Sequence, residues 1–179
     1  MKIARPILVL AIALALCSMA GAKGKRLHQP EQTEFSAEDE AVKVPIALPQ
    51  GVMDILRSDE MIGMVMRNQD PQIEKFPPSW FSASVIHLGT SGETDFVVVA
   101  EGPLIGANVT TFWVIRSTPS GYEVVLNAPA HDLSVKPGRA VGLRDIEMLA
   151  ATAVQVHTVM YRFDGKSYKV FRDTWEPIH

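Results

Sequence analysis

Glu101, Asp145 and Glu147 are the carboxylates of this chain that could serve as a general acid and base. Glycoside hydrolysis needs two such groups at a defined separation, and a sequence supplies the residue types without the distance. In the run Gly-Leu-Arg-Asp-Ile-Glu at 142–147, Arg144 and Asp145 also suit a local ion pair at a strand start, and that structural reading is preferred. Nucleophilic hydrolysis would need a serine, a base and an orienting acid. His87, His131 and His157 are available with Asp132 and Asp145, but no G-x-S-x-G elbow presents a serine on a strand-to-helix turn. No two histidines stand at i, i+4 and Cys17 is the sole cysteine, so zinc has no ligand pattern. Ala130-His131-Asp132 reads as a polar turn after Pro129. The expectation is a protein that is not an enzyme and carries no cofactor or metal.

A binding protein would instead place aromatic and arginine anchors on exposed loops. The candidates are Ser120, Gly121 and Tyr122 in the run Pro-Ser-Gly-Tyr, the run 103–108, and Trp175 near the C-terminus.

The elements that position these residues follow from periodicity. Met-Lys-Ile-Ala-Arg, an apolar run from Pro6 to Leu16 and Ala20-Gly21-Ala22 predict a secretory signal peptide over 1–22, too short to span a bilayer. Leu16 is larger than the residue a lipoprotein-processing site takes before its cysteine, so cleavage near Ala22 is expected ahead of lipidation at Cys17. The 157 residues then remaining of 179 suit one domain without disulfides. Loss of Lys2 and Arg5 from the 17 basic residues leaves 15 against 20 acidic. That balance argues against a nucleic-acid partner, which needs a basic surface.

Residues 23–45 are polar and change sign partway, which predicts a flexible leader before a single β-rich domain at 46–179. Val52, Met53 and Leu56 share a helical face, and a further turn or two begins near Ser58 and ends before Pro71. Met61, Met64 and Met66 read as core filler. Beyond Lys-Phe-Pro-Pro the chain turns to β-rich runs at 81–88, 96–101, 110–117, 122–127, 146–150, 154–163 and 167–172. Tyr122, Val124 and Leu126 are expected on one face. The fold class is α+β, predominantly antiparallel β-sheet with a short helical N-terminal element. Asp164-Gly165 predicts a two-residue turn, with Phe163 opposite Lys166, Tyr161 opposite Tyr168, Val159 opposite Val170, and solvated basic side chains.

His-Leu-Gly-Thr-Ser-Gly-Glu-Thr-Asp-Phe-Val-Val-Val at 87–99 resembles the calcium loop of bacterial FG-GAP and VCBS-type repeats. Gly92 matches the bend and Asp95 the closing carboxylate, while His87, Gly89 and Ser91 stand at the early ligand positions. Calcium takes six to eight oxygens, largely carboxylate, so this loop is expected to keep the turn without the metal. With the runs at 106–116, 142–147 and 161–168, it also resembles an uncharacterised family of secreted bacterial proteins. Some relatives of that build resemble periplasmic lysozyme inhibitors, whose hairpin tips enter an active-site cleft as Ser120–Tyr122 would. The resemblance implies a secreted or periplasmic binding protein whose partner is an envelope protein such as a peptidoglycan hydrolase. A small envelope hydrolase using acidic residues near Glu101 and Asp145, or a structural envelope protein without a discrete site, are the alternatives.

Overall fold

The computed structural model describes residues 30–38, 40–69, 71, 73–106 and 109–178. The signal peptide, Cys17, Ala22, the first residues of the leader and Asn108 lie outside the described residues. Two antiparallel sheets form the body of the described fold. One is ordered β2-β3-β4-β5 and the other β1-β6-β7-β8-β9. The first comprises β2 (Phe81–Ile86), β3 (Asp95–Ala100), β4 (Thr110–Thr118) and β5 (Gly121–Ala130). The second comprises β1 (Glu34–Ser36), β6 (Asp132–Ala140), β7 (Leu143–Ala151), β8 (Gln155–Phe163) and β9 (Tyr168–Pro177). Helices α1 (Gln50–Arg57) and α2 (Glu60–Arg67) precede the first sheet in sequence. Among the described residues no helix is long and apolar enough to cross a membrane.

The apolar pattern makes three layers. Val97 and Val99 of β3, with Phe112 and Val114 of β4, meet Leu133, Val135, Ile146 and Met148 of the second sheet. Phe96, Val98 and Ala100, with Trp113 and Ile115, face the other way onto Val52, Leu56 and Ile62 of the helices. Strand β3 is therefore buried along its whole length, which is why it reads as a continuous apolar run rather than an alternation.

Helix α2 is bolted to the sheet by Asp59. Its Oδ1 accepts from the backbone N–H of Met61 and Ile62, an N-cap, while Oδ2 accepts from Trp113 Nε1 and Asn127 Nδ2, each at 3.0 Å. Asp59→Ala is expected to lower the unfolding free energy by roughly 2–3 kcal/mol in urea titrations, the cap plus a buried indole donor left without its acceptor.

Four sequence expectations need correction. The leader is not free over its described part: Phe35 and Val42 are buried, and Glu34–Ser36 pairs antiparallel with 132–134. Gln32 holds that segment, donating to the carbonyls of Glu34 and Ala41 and accepting from Lys43 N–H. A three-residue strand gives too little alternation to be seen in a polar run. Second, β6 is a strand that the sequence pattern does not mark, because Pro137 and Gly138 interrupt it. It is tolerated because β1 covers only 132–134 and the ladder to β7 is irregular between Val135 and Arg139.

Third, Val125 is an extra residue between the pairs Ile115–Val124 and Val114–Leu126. A bulge inverts the faces beyond it, so Tyr122 and Val124 pack toward the helices while Leu126 faces the sandwich core. Fourth, the last hairpin closes with four residues. Asp164 Oδ1 accepts from Lys166 and Ser167 N–H, and Gly165 takes φ +105°. Phe163 stands opposite Tyr168, and a further irregularity at Met160/Tyr161 sets Tyr161 opposite Val170 and Val159 opposite Asp173. Asp164 competes for its own backbone, an Asx turn that displaces the two-residue turn.

Candidate functional site

Leu88 is the joint on which one end of the sandwich is built. It follows β2 and is fully buried. Its N–H donates to Asp95 Oδ2 at 2.9 Å. Its carbonyl accepts from Arg139 Nη1 at 2.7 Å and from Arg144 N–H at 2.9 Å, both from the opposite sheet. Asp95 Oδ1 accepts from Ser117 N–H at 2.9 Å, and Ser117 Oγ donates to the carbonyl of Thr94. The loop 87–94 is thereby tied to the β4–β5 hairpin and across to β6 and β7.

This arrangement gives most of the residues singled out in the run 87–99 a structural place. Asp95 is 2% exposed and spends both oxygens on amide N–H groups. Burial raises its carboxyl above the ordinary value, while the N–H donors of Ser117 and Leu88 pull it back. Gly89 lies against Leu143, and Gly92 is left-handed at φ +76°. His87 N–H donates to Glu31 Oε1 at 2.7 Å, and Ser91 is exposed. Among the described residues no group of three or more His, Cys, Asp or Glu is placed to hold a metal ion. The loop is fastened by arginine and amide donors.

A second brace runs through Tyr168, whose hydroxyl donates to the carbonyl of Arg144. Its hydroxyl is held well above the ordinary value, mainly by burial and then by the Asp95 and Asp145 carboxylates. A raised phenol stabilises the fold fully below the unfolded value of 10.0 and loses that contribution as pH climbs toward the folded value. The wild type should thus weaken above pH 10. Tyr168→Phe should cost about 1 kcal/mol at neutral pH and show a shallower alkaline decline, read from urea midpoints across pH.

Asp145, expected to pair with Arg144, instead binds Arg162 at 3.0 and 3.3 Å. Arg162 also lies over the Phe171 ring at 3.6 Å, so it is not simply a solvated side chain. Arg144 binds Glu31 at 3.3 Å and donates to the carbonyls of Val135 and Lys136. Asp145 and Glu147 share a face of β7, but each is committed to a cation, Asp145 to Arg162 and Glu147 to Lys136 at 2.7 Å, and Glu101 is not brought to them. Asp145 shares the surroundings of Tyr168 with Asp95, whereas Glu101 follows the far end of β3, about 20 Å away at strand rise. Burial raises the carboxyl of Glu101, but a glycosidase pair needs its carboxyls within about 10 Å.

The turns of this end differ in what they show to solvent. At the β4–β5 tip Pro119, Ser120 and Gly121 are exposed, and Thr118 Oγ1 bonds Ser120 Oγ and the carbonyl of Gly121. Tyr122 is not free: its ring packs edge-on to Phe96 at 5.8 Å and lies against Gly51 of α1. Trp175 is elsewhere, 56% exposed on β9 and seven residues beyond Tyr168, roughly 23 Å along the strand.

A residue the sequence reading passed over is Val141. It takes φ +49° in the β6–β7 turn, followed by Gly142 at +83°, and is 68% exposed. A β-branched residue in that region is strained, and this one is also an apolar side chain held out to solvent. The Val-Gly pair between two ladder strands was its only sequence signal.

Comparison with protein-family models, with curated proteins and with solved structures gives no match.

Proposed function

We propose that this chain is a secreted or periplasmic binding protein without catalytic activity, and that the loop end of the sandwich is its binding surface. One observation carries the reading. An exposed valine is held in a left-handed conformation at the tip of a turn whose flanks are braced across both sheets through Leu88, Arg139 and Arg144. Strain of this kind persists where surrounding structure over-determines it, and it clusters at functional sites. A rigid, protruding end with Val141 and the Pro119–Ser120 tip suits insertion into a concave partner with little ordering cost. The partner we propose is the cleft of a cell-wall hydrolase, the class the family resemblance implies, which makes the protein an inhibitor of that enzyme.

The rival reading is a small envelope hydrolase using Glu101 and Asp145. Against it stand the separation of the two carboxyls and the commitment of Asp145 to Arg162. Binding and activity assays on one set of variants separate the two. Ser120→Arg should abolish partner binding, while Glu101→Gln and Asp145→Asn change no rate on cell-wall fragments. Turnover of such fragments by the wild type, lost in Glu101→Gln, would defeat the proposal.

A further inference from the structure

Strand β9 is an open edge of the five-stranded sheet and is ten residues long. Natural edges of this length are usually shortened, bulged or covered. This one is bulged at Phe171, yet it is exposed along most of its length and carries Val170 (57% exposed), Phe171 (52%) and Trp175 (56%), with Ile178 (51%) just beyond. Trp175 stacks on His157 at 3.9 Å, and His157 Nε2 meets Asp173 Oδ1 at 2.8 Å, so the exposed indole is held in place.

The backbone decides which groups face outward. Ile178 N–H, just past β9, donates to the carbonyl of Val154, just before β8. By two-residue alternation the groups of Glu176 and Thr174 also face β8, while those of Asp173 and Trp175 face the open edge. Pro177 falls in the outward set, where its missing N–H removes no bond to β8.

We infer that β9 pairs antiparallel with β9 of a second copy of this chain, about a two-fold axis through Thr174. The register follows from the charges. Two outward-facing residues must meet, so the axis passes through a residue. Centring on Arg172, Asp173 or Glu176 sets that charge against its own copy, which is unfavourable. Centring on Trp175 makes no ion pair, and centring on Phe171, which would set Lys169 against Asp173, puts the axis on the residue where the ladder to β8 is irregular and draws on an Asp173 already bound to His157. Centring on Thr174 sets Arg172 of each copy against Glu176 of the other, twice by symmetry. Asp173 and Trp175 then exchange backbone hydrogen bonds, and Phe171 lies against Pro177. The strand is self-complementary in this register, as an isologous interface requires. The product is a continuous ten-stranded sheet whose two loop ends point in opposite directions, making the dimer bivalent.

Sedimentation velocity on the purified protein tests this. The wild type should sediment as a concentration-dependent dimer. Arg172→Glu should raise the dissociation constant by roughly tenfold or more, and adding Glu176→Arg to it should restore wild-type dimerisation. Unchanged far-ultraviolet circular dichroism, and unchanged melting at concentrations where both proteins are monomeric, would show that these exposed positions leave the fold intact. Thr174→Cys should form an interchain disulfide on mild oxidation, because residues on the axis face each other at the closer, non-hydrogen-bonded spacing. A wild type that stays monomeric, an Arg172→Glu variant that dimerises undiminished, or a double reversal that fails to rescue would each overturn the inference.

Discussion

Asp95→Ala is expected to lower the free energy of unfolding by about 3–4 kcal/mol, among the largest effects of any polar substitution here. The side chain is 2% exposed and accepts from two backbone N–H groups, those of Leu88 and Ser117. Alanine leaves both donors without a partner, each costing about 1–3 kcal/mol where water cannot replace the acceptor. It also releases the joint between the loop 87–94 and the β4–β5 hairpin. Asp95→Asn keeps one acceptor and should cost about half as much.

The pH dependence of that pair distinguishes burial of charge from loss of geometry. Desolvation raises the Asp95 carboxyl in the fold. A raised carboxyl contributes stability that is fully present below the unfolded value of 3.8 and is lost as pH rises through the folded value. The gap between wild type and Asp95→Asn should therefore widen as pH falls toward 3.8. Chemical denaturation from neutral pH downward reads this directly, and a gap that narrows would contradict the account of Asp95.

The second large effect concerns binding. Val141→Asp should weaken the partner complex by about 100-fold, since it replaces a protruding apolar anchor with a charge that must be desolvated at an interface. The fold should not suffer, because aspartate tolerates the left-handed region better than a β-branched residue. Val141→Gly sharpens the point. Relief of the strained backbone should raise stability by roughly 1 kcal/mol, while binding still falls by about tenfold for want of the side chain. Isothermal calorimetry and thermal unfolding on the same samples would show the two quantities moving in opposite directions. If both variants bind as the wild type does, Val141 is a strained turn residue without a role in recognition.

How far the sequence anticipates this molecule differs from element to element. β2, β3, β4 and β8 are legible because β-branched and aromatic residues run together between turn residues. β6 is not, because Pro137 and Gly138 break its pattern and only the short β1 on one side makes them tolerable. Registers fail where a single residue is inserted: Val125 reverses the faces of β5, and the Asp164 side chain lengthens the last turn. At the loop end, Asp95, Gly89, Gly92 and Ser120 are visible as types. Their braces are not, since Arg139 reaches Leu88 across 51 residues of chain and a different sheet. Positive φ at a valine leaves almost no trace in composition. Tyr122 was readable as a hairpin-tip aromatic but not as a core contact, because α1, which it packs against, lies far away in sequence.

The most direct measurement is a titration of purified bacterial cell-wall hydrolases with this protein, following lysis of wall fragments, beside Val141→Asp as control. The account predicts that one enzyme loses its activity at a one-to-one ratio and recovers it when Val141→Asp replaces the wild type. Hydrolases that stay fully active at saturating protein, or an inhibition that Val141→Asp reproduces undiminished, would contradict it.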